Sequence, residues 1–159
     1  MSWSKIKPYL LGVAVPLAVG GLSTLLSGGG DGFYDTVKQP SFSPPPYIFP
    51  VVWAILYILM GISATTVILR YKQDARAARD GLVFGAISLY MNFFYSILFF
   101  RFRLFLLSFF WLYLLLVFII LTILHYRRIS RFAARAQIPY AVWVSFAGLL
   151  TLMIWYLNR

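Results

Sequence analysis

Leu104-Phe-Leu-Leu-Ser-Phe-Phe-Trp-Leu-Tyr-Leu-Leu-Leu-Val-Phe-Ile-Ile-Leu-Thr-Ile-Leu-His-Tyr126 is the stretch that decides the fold class. It holds no acid, no Lys or Arg, and no Gly or Pro. Wound into a helix it is apolar on every face, which no helix of a small water-soluble protein tolerates. Roughly 20 such residues cross the hydrocarbon core of a bilayer. Four further stretches read the same way, at 8–27, 47–70, 81–100 and 136–157, alongside 104–126 itself. None alternates in polarity as a membrane β-strand does. The expectation is an all-α membrane protein: a single five-transmembrane-helix bundle over residues 1–159.

Composition points the same way. A water-soluble domain has about a quarter of its residues charged, whereas here 11% are charged and 62% hydrophobic. The only acids are Asp31, Asp35, Asp74 and Asp80, all outside the apolar stretches. The first span follows Lys5 and Lys7 as a signal peptide would. It lacks a convincing small-residue cleavage site and outruns a simple signal core, so a retained helix is expected. With no cysteine, disulfides and thiol chemistry are excluded.

The net charge of +10 is a matter of sidedness. Lys5, Lys7, Arg70, Lys72, Arg76, Arg79, Arg127, Arg128, Arg131 and Arg135 fall on one side of the spans. Lys38, Arg101, Arg103 and Arg159 fall on the other, with Asp31 and Asp35. The positive-inside rule then predicts a cytoplasmic N-terminus, with the first loop and the C-terminus outside. Helical spans with this bias favour a bacterial inner (plasma) membrane. The cations report orientation and contact with lipid headgroups, and no nucleic-acid partner is expected.

One connection is long. In 28–46, Gly28-Gly29-Gly30 releases the chain from the first helix, and Pro44-Pro45-Pro46 holds it extended before the second. The aromatics Phe33, Tyr34 and Phe42 favour a packed lid over a loose link, with Phe42, Pro44 and Pro45 as lid residues. Small residues around Pro16 in the first span suit close helix approach. Gly81-Leu-Val-Phe-Gly85 is a GxxxG pattern that serves either internal packing or a homodimer face. Five spans do not divide into the equal halves of an inverted-repeat transporter.

Catalytic machinery is sparse. There is no Glu and a single His, His125. No serine in the spans has a histidine or an acid placed beside it as an activating base, no ligand cluster suits a metal, and no carboxylate sits within the membrane to carry protons. The catalytic and metal residues are therefore read as none. What remains is polar and aromatic decoration at helical spacing. Trp53, Tyr57 and Gly61 share one face of the second span; Asn92 and Ser96, with Tyr95 beside them and Phe99 beyond, mark the third; Trp143, Ala147 and Thr151 share a face of the fifth. Three such stripes line a pocket, or they are interfacial belts and interhelical hydrogen bonds. Asn92 leans toward the pocket, because an amide amid hydrocarbon needs a partner.

Lys38-Gln-Pro40-Ser-Phe-Ser-Pro44-Pro45-Pro-Tyr47, followed by Val52-Trp53-Ala-Ile-Leu-Tyr57-Ile-Leu-Met60-Gly61, resembles the tryptophan-rich sensory protein/translocator protein (TspO/MBR, peripheral benzodiazepine receptor) family. So do Pro16 with Gly20, Met91-Asn92 with Phe99-Phe100, Ala133-Ala134, Pro139-Tyr140-Ala-Val-Trp143-Val-Ser-Phe146-Ala147 and Leu157-Asn158. The resemblance runs nearly end to end. It implies a five-helix bundle, often a homodimer, with a ligand cavity below the first loop. It implies no required cofactor; porphyrin or haem enters as ligand, as do sterols or benzodiazepine-type compounds in some members. Carried over position by position, the ligand-binding residues are Tyr47, Trp53, Tyr57, Asn92, Tyr95, Trp143, Ala147 and Thr151. The chain departs from the family pattern at Phe42, Tyr47 and Tyr95, where tryptophan is usual, and at Thr151, where asparagine is usual.

Leu152, Tyr156 and Arg159 also fit a sterol-type L/V…Y…K/R pattern, which an interfacial anchor satisfies equally. The reading is a membrane receptor for flat hydrophobic ligands, with Lys38, Arg101 or Arg103 available to porphyrin carboxylates or simply reaching for headgroups. The alternative is light- or oxygen-dependent porphyrin degradation, with Trp143 as its residue; a transporter or a regulatory scaffold is a third. Membrane lipid is the remaining partner.

Overall fold

The computed structural model describes residues 3–28 and 32–159, the Lys5 side chain excepted. The sidedness of Lys5 and Asp31, and Gly29-Gly30 of the glycine run, lie outside what is described. Six α-helices follow in order: α1 Trp3–Ser27, α2 Ile48–Leu69, α3 Ala75–Ser96, α4 Phe105–Arg127, α5 Arg131–Ala136 and α6 Ile138–Asn158. Five helical segments are long and apolar enough to cross a membrane, α5 and α6 forming the fifth together, and no strand occurs among the described residues.

Three helix boundaries differ from the apolar pattern, each for a local reason. α3 begins at Ala75, six residues before Gly81, because the Asp74 carboxylate accepts the Ala77 N–H at 3.0 Å and caps the helix. The fifth segment likewise starts early. Ser130 caps α5 by accepting from Ala133 N–H at 3.3 Å, and Pro139 in the first turn of α6 restarts the helix after Gln137. At the other end of α3 the chain widens into a π-turn over Ile97–Arg101, closed by Phe102 N–H donating to the Ile97 carbonyl at 3.1 Å. Such turns are rare and recur at functional sites. Here it brings both Phe99 and Phe100 against Phe33 of the first loop, at ring-centroid distances of 5.1 and 4.9 Å.

The helices close a ring: α1 packs on α2, α2 on α5, α6 on α4, α4 on α3, and α3 back on α1. Leu10, Leu25, Leu114 and Val117 point outward and are at least half exposed, as a lipid-facing surface requires. Small residues set the α1–α2 spacing. A Cβ on Gly61 would lie 2.6 Å from the Gly12 carbonyl oxygen and 2.8 Å from the Val13 nitrogen, so only glycine permits this approach.

The GxxxG pattern of α3 is used internally. A Cβ on Gly81 would fall 2.8 Å from the Tyr126 ring, and one on Gly85 would fall 3.2 Å from its hydroxyl. Gly81 and Gly85 therefore seat Tyr126 of α4, the internal-packing use of the pattern. Trp111, for which sequence offers no role, donates its Nε1–H to the Met91 carbonyl at 2.7 Å and ties α4 to α3.

Candidate functional site

The α2, α3 and α6 stripes meet at the end of the bundle that carries the first loop. They bound a cavity of about 530 Å³. From α2, Tyr47, Trp53 and Tyr57 reach it; from α3, Tyr95; from α6, Trp143, Ala147 and Thr151. Seven of the eight expected ligand-binding residues thus line one space. The eighth, Asn92, stands behind it. Its Nδ2–H donates to the Tyr57 hydroxyl at 2.8 Å, and the residue is buried. The amide finds the partner that a hydrocarbon setting demands, and its effect on the cavity runs through the Tyr57 ring.

Aromatic contacts fix the walls. Trp53 stacks on Tyr57 at 5.7 Å and 28°, and Tyr95 on Phe99 at 5.6 Å and 26°. Offset stacks of this kind favour fixed ring orientations. Gly20 on α1 makes room for the Tyr57 ring, with which any Cβ there would collide. The Tyr95 hydroxyl and Thr151 Oγ1 lie 3.0 Å apart and satisfy each other. A Thr–Tyr pair here stands where the family pattern usually has Asn and Trp. Tyr47, at the mouth, is 71% exposed.

Trp143 is different. It packs on Phe146 and edge-on to Phe49, yet its buried Nε1 has no hydrogen-bond partner among the described residues. An unsatisfied indole N–H costs free energy on the order of 1–3 kcal/mol unless an acceptor arrives. The Trp143 ring lines a space that otherwise offers rings and hydroxyls: no Asp, Glu, Lys, Arg or His lines the cavity.

The first loop and the start of α2 cover this end, and Phe42, Pro44 and Pro45 are not the residues that reach inside. Phe42 packs edge-on against Phe146 at 6.4 Å. Tyr34, Pro46 and Phe49 line the cavity instead, with Tyr34 stacked on Phe49 at 5.4 Å and 19°. Burial, and secondarily the neighbouring Tyr95, pushes the Tyr34 phenol well above its usual range and keeps it neutral. Phe33 is buried in the core cluster. Periodicity could not reveal Tyr34 or Phe33, because they sit in a loop, where no helical register applies.

The cations offered to porphyrin carboxylates have other work. Arg101 Nη1 donates to the Leu26 carbonyl at 3.0 Å, near the C-terminal end of α1. Arg103 Nη2 donates to Thr36 Oγ1 at 3.0 Å, with its guanidinium 5.6 Å from the Phe33 ring centre. Both hold the loop side together, and neither lines the cavity. The Lys38 backbone is gripped by Asn158, whose Oδ1 accepts from Lys38 N–H and whose Nδ2 donates to the Lys38 carbonyl, both at 2.9 Å.

Leu152, Tyr156 and Arg159 are also apart from the cavity. Arg159 lies 4.3 Å over the Tyr156 ring and 5.6 Å from that of Trp155, a cation–π cluster at the end of the chain. Nδ1 of His125 is engaged with the Leu121 carbonyl at 2.8 Å, on α4's far end from the cavity.

Residues 12–157 match the TspO/MBR family. The tryptophan-rich protein TspO of Chlorobaculum tepidum is 38% identical over 126 residues, 79% of each chain. Protein CrtK of Rhodobacter capsulatus is 33% identical over 126 residues, 79% of this chain and 78% of its own. The translocator protein of Ovis aries is 29% identical over 146 residues, covering 91% and 86%. With a match over this much of its length and a ring of five apolar helices, the chain belongs to the TspO/MBR family of membrane proteins.

Proposed function

We propose that the outer cavity binds a flat hydrophobic ligand of the tetrapyrrole type, and that the protein acts as a membrane receptor for it. The observation that carries this reading is a 530 Å³ space walled by the rings of Tyr34, Trp53, Tyr57, Tyr95, Phe99 and Trp143. That volume lies within the range of small-molecule sites, and the stacked Trp53–Tyr57 and Tyr95–Phe99 pairs offer flat faces. The ligand's carboxylates would remain at the mouth beside Tyr47, since no cation lines the interior. With no histidine in the cavity, protoporphyrin and haem should bind comparably. Tyr34 and Pro46 of the first loop would form the lid, closing on Phe49 at the start of α2. The Arg-rich inner loops support a cytoplasmic N-terminus in a bacterial inner membrane. A homodimer would have to use a face other than Gly81–Gly85.

The test is a titration of purified protein with protoporphyrin in the dark, followed by quenching of tryptophan fluorescence. Saturable one-to-one quenching is expected, weakened about tenfold by Trp53→Ala. Quenching that never saturates, or that ignores this substitution, sinks the proposal. The placement of Trp143 in the wall favours one second reading, light-driven degradation of the bound porphyrin. Trp143→Phe should then abolish loss of porphyrin absorbance under illumination while dark binding persists.

A further inference from the structure

A second cavity, of about 260 Å³, lies deeper in the bundle among α1, α2, α3, α4 and α6. It shares no lining residue with the outer one. The layer between them is the Trp53–Tyr57 stack, braced by Asn92 and packed edge-on against Tyr140 at 6.2 Å. Nothing in the outer site's chemistry accounts for this second space.

Its polar end is unusual. Tyr126 is 1% exposed, held between α3 and α4 by the notch at Gly81 and Gly85, and its hydroxyl lines the cavity with no hydrogen-bond partner among the described residues. Gln137, also buried, donates Nε2–H to Ser63 Oγ at 2.5 Å and leaves Oε1 unpartnered among the described residues. The neighbouring hydroxyls of Ser88 and Thr122 are already bonded to the carbonyls of Phe84 and Phe118. A buried phenol and a buried amide oxygen, both open, call for a group that donates and accepts at once.

Apart from Thr65 and Tyr140, whose hydroxyl donates to the Ser88 carbonyl at 3.5 Å, the rest of the cavity is apolar, and its side reaches the lipid-facing surface: Val15 and Ile68 line it while 58% and 55% exposed. No Asp, Glu, Lys, Arg or His lines it. A carboxylate or an amine would therefore be buried without a counter-charge, at a cost that excludes it. The volume equals roughly nine waters at about 30 Å³ each, half that of the outer site and too little for a tetrapyrrole.

We propose that the inner cavity is a binding site for a slender, neutral, single-chain amphiphile bearing a hydroxyl. The hydroxyl bonds Tyr126 and Gln137, and the alkyl chain lies between the helices toward the lipid. The ligand enters sideways from the bilayer rather than through the outer cavity.

The experiment uses the full chain in lipid nanodiscs and octanol carrying a mid-chain diazirine as photoprobe, with labelled residues mapped by peptide mass spectrometry. Saturable labelling within 60–68 and 82–89, displaced by excess 1-octanol and unaffected by protoporphyrin, is expected. Tyr126→Phe should weaken it about tenfold. Ala86→Phe, at an exposed position on the cavity edge, should abolish it and does not depend on the Tyr126 variant folding. Labelling that fails to saturate, spreads over all lipid-facing helices, is displaced by protoporphyrin, or is absent overturns the proposal; so does labelling that ignores both variants.

Discussion

The two ends of the bundle are built from different residues. The end under the first loop is aromatic: Phe33, Tyr34, Phe49, Trp53, Tyr57, Tyr95, Phe99 and Trp143 bury rings against rings. The opposite end is built on small residues: Ala77, Ala78, Ala133 and Ala134 pack with Val67 around Tyr126, and Gly12 meets Gly61. Large rings leave angular gaps that flat molecules can fill, whereas small residues bring backbones together and leave narrow ones. The aromatic end therefore keeps the wider space, of about 530 Å³, and the small-residue end brings the helices close and keeps the narrower one, of about 260 Å³.

The contrast is broken most directly at the glycine seam. Gly61→Val places a side chain against the backbone of Gly12 and Val13, which cannot yield as a side-chain tip can. A loss of about 3 kcal/mol is expected, the upper range for overpacking, seen as a large drop in thermal midpoint in detergent. Gly21→Val on α1 is the control: nothing lies within 4 Å of a Cβ there, and the midpoint should hardly move. Equal effects would mean that the seam is looser than its geometry.

Next in size is the aromatic end. Trp53→Ala removes one face of the stack with Tyr57 and should weaken protoporphyrin about tenfold, or roughly 1.4 kcal/mol. Gly61→Val, where it still folds, should alter binding far less than stability. A variant pair showing the reverse would mean that the ligand sits in the seam.

How much of this was legible in the sequence divides along the same line. The five spans are legible because hydrocarbon admits no charge, and runs such as 104–126 have none. The outer stripes are legible because Trp53/Tyr57 and Trp143/Ala147/Thr151 keep helical spacing and the family resemblance names them. That Phe33 and Tyr34 pack over the bundle is legible in a loop rich in aromatics, but which of them reaches the cavity is not, since that depends on how the loop folds. Gln137 is not, because its burial comes from the break between α5 and α6, which no apolar count detects. The Gly81–Gly85 pattern shows close approach but not to what. Only the placement of Tyr126 decides it.

Asn92→Leu probes the layer between the two ends. It leaves the Tyr57 hydroxyl without its donor, and about 1 kcal/mol of stability should be lost, as for a typical intramolecular hydrogen bond. Protoporphyrin affinity should fall about threefold, less than for Trp53→Ala, because Asn92 supports the wall without forming it. An effect as large as that of Trp53→Ala would place the amide in contact with ligand.

The smallest effect belongs to Asn158, and it bears on why the aromatic end can open at all. The α1–α2 seam is closed by backbone contact, whereas the first loop is fastened by a few polar ties: Asn158 to the Lys38 backbone, Arg103 to Thr36 and Arg101 to Leu26. Each is exposed, so water replaces it at little cost, and Asn158→Ala should lower global stability by less than about 1 kcal/mol. Its consequence is local. The Lys38 amide loses its acceptor, and hydrogen exchange there should quicken at least tenfold while amides in α2 and α4 keep their protection. Protoporphyrin should then arrive and leave faster with little change in affinity, because the walls that bind it are intact. Unchanged exchange at Lys38 would mean that Phe33, wedged against Phe99 and Phe100, anchors the loop unaided; the lid would then open by withdrawing a ring from the core rather than by releasing an amide.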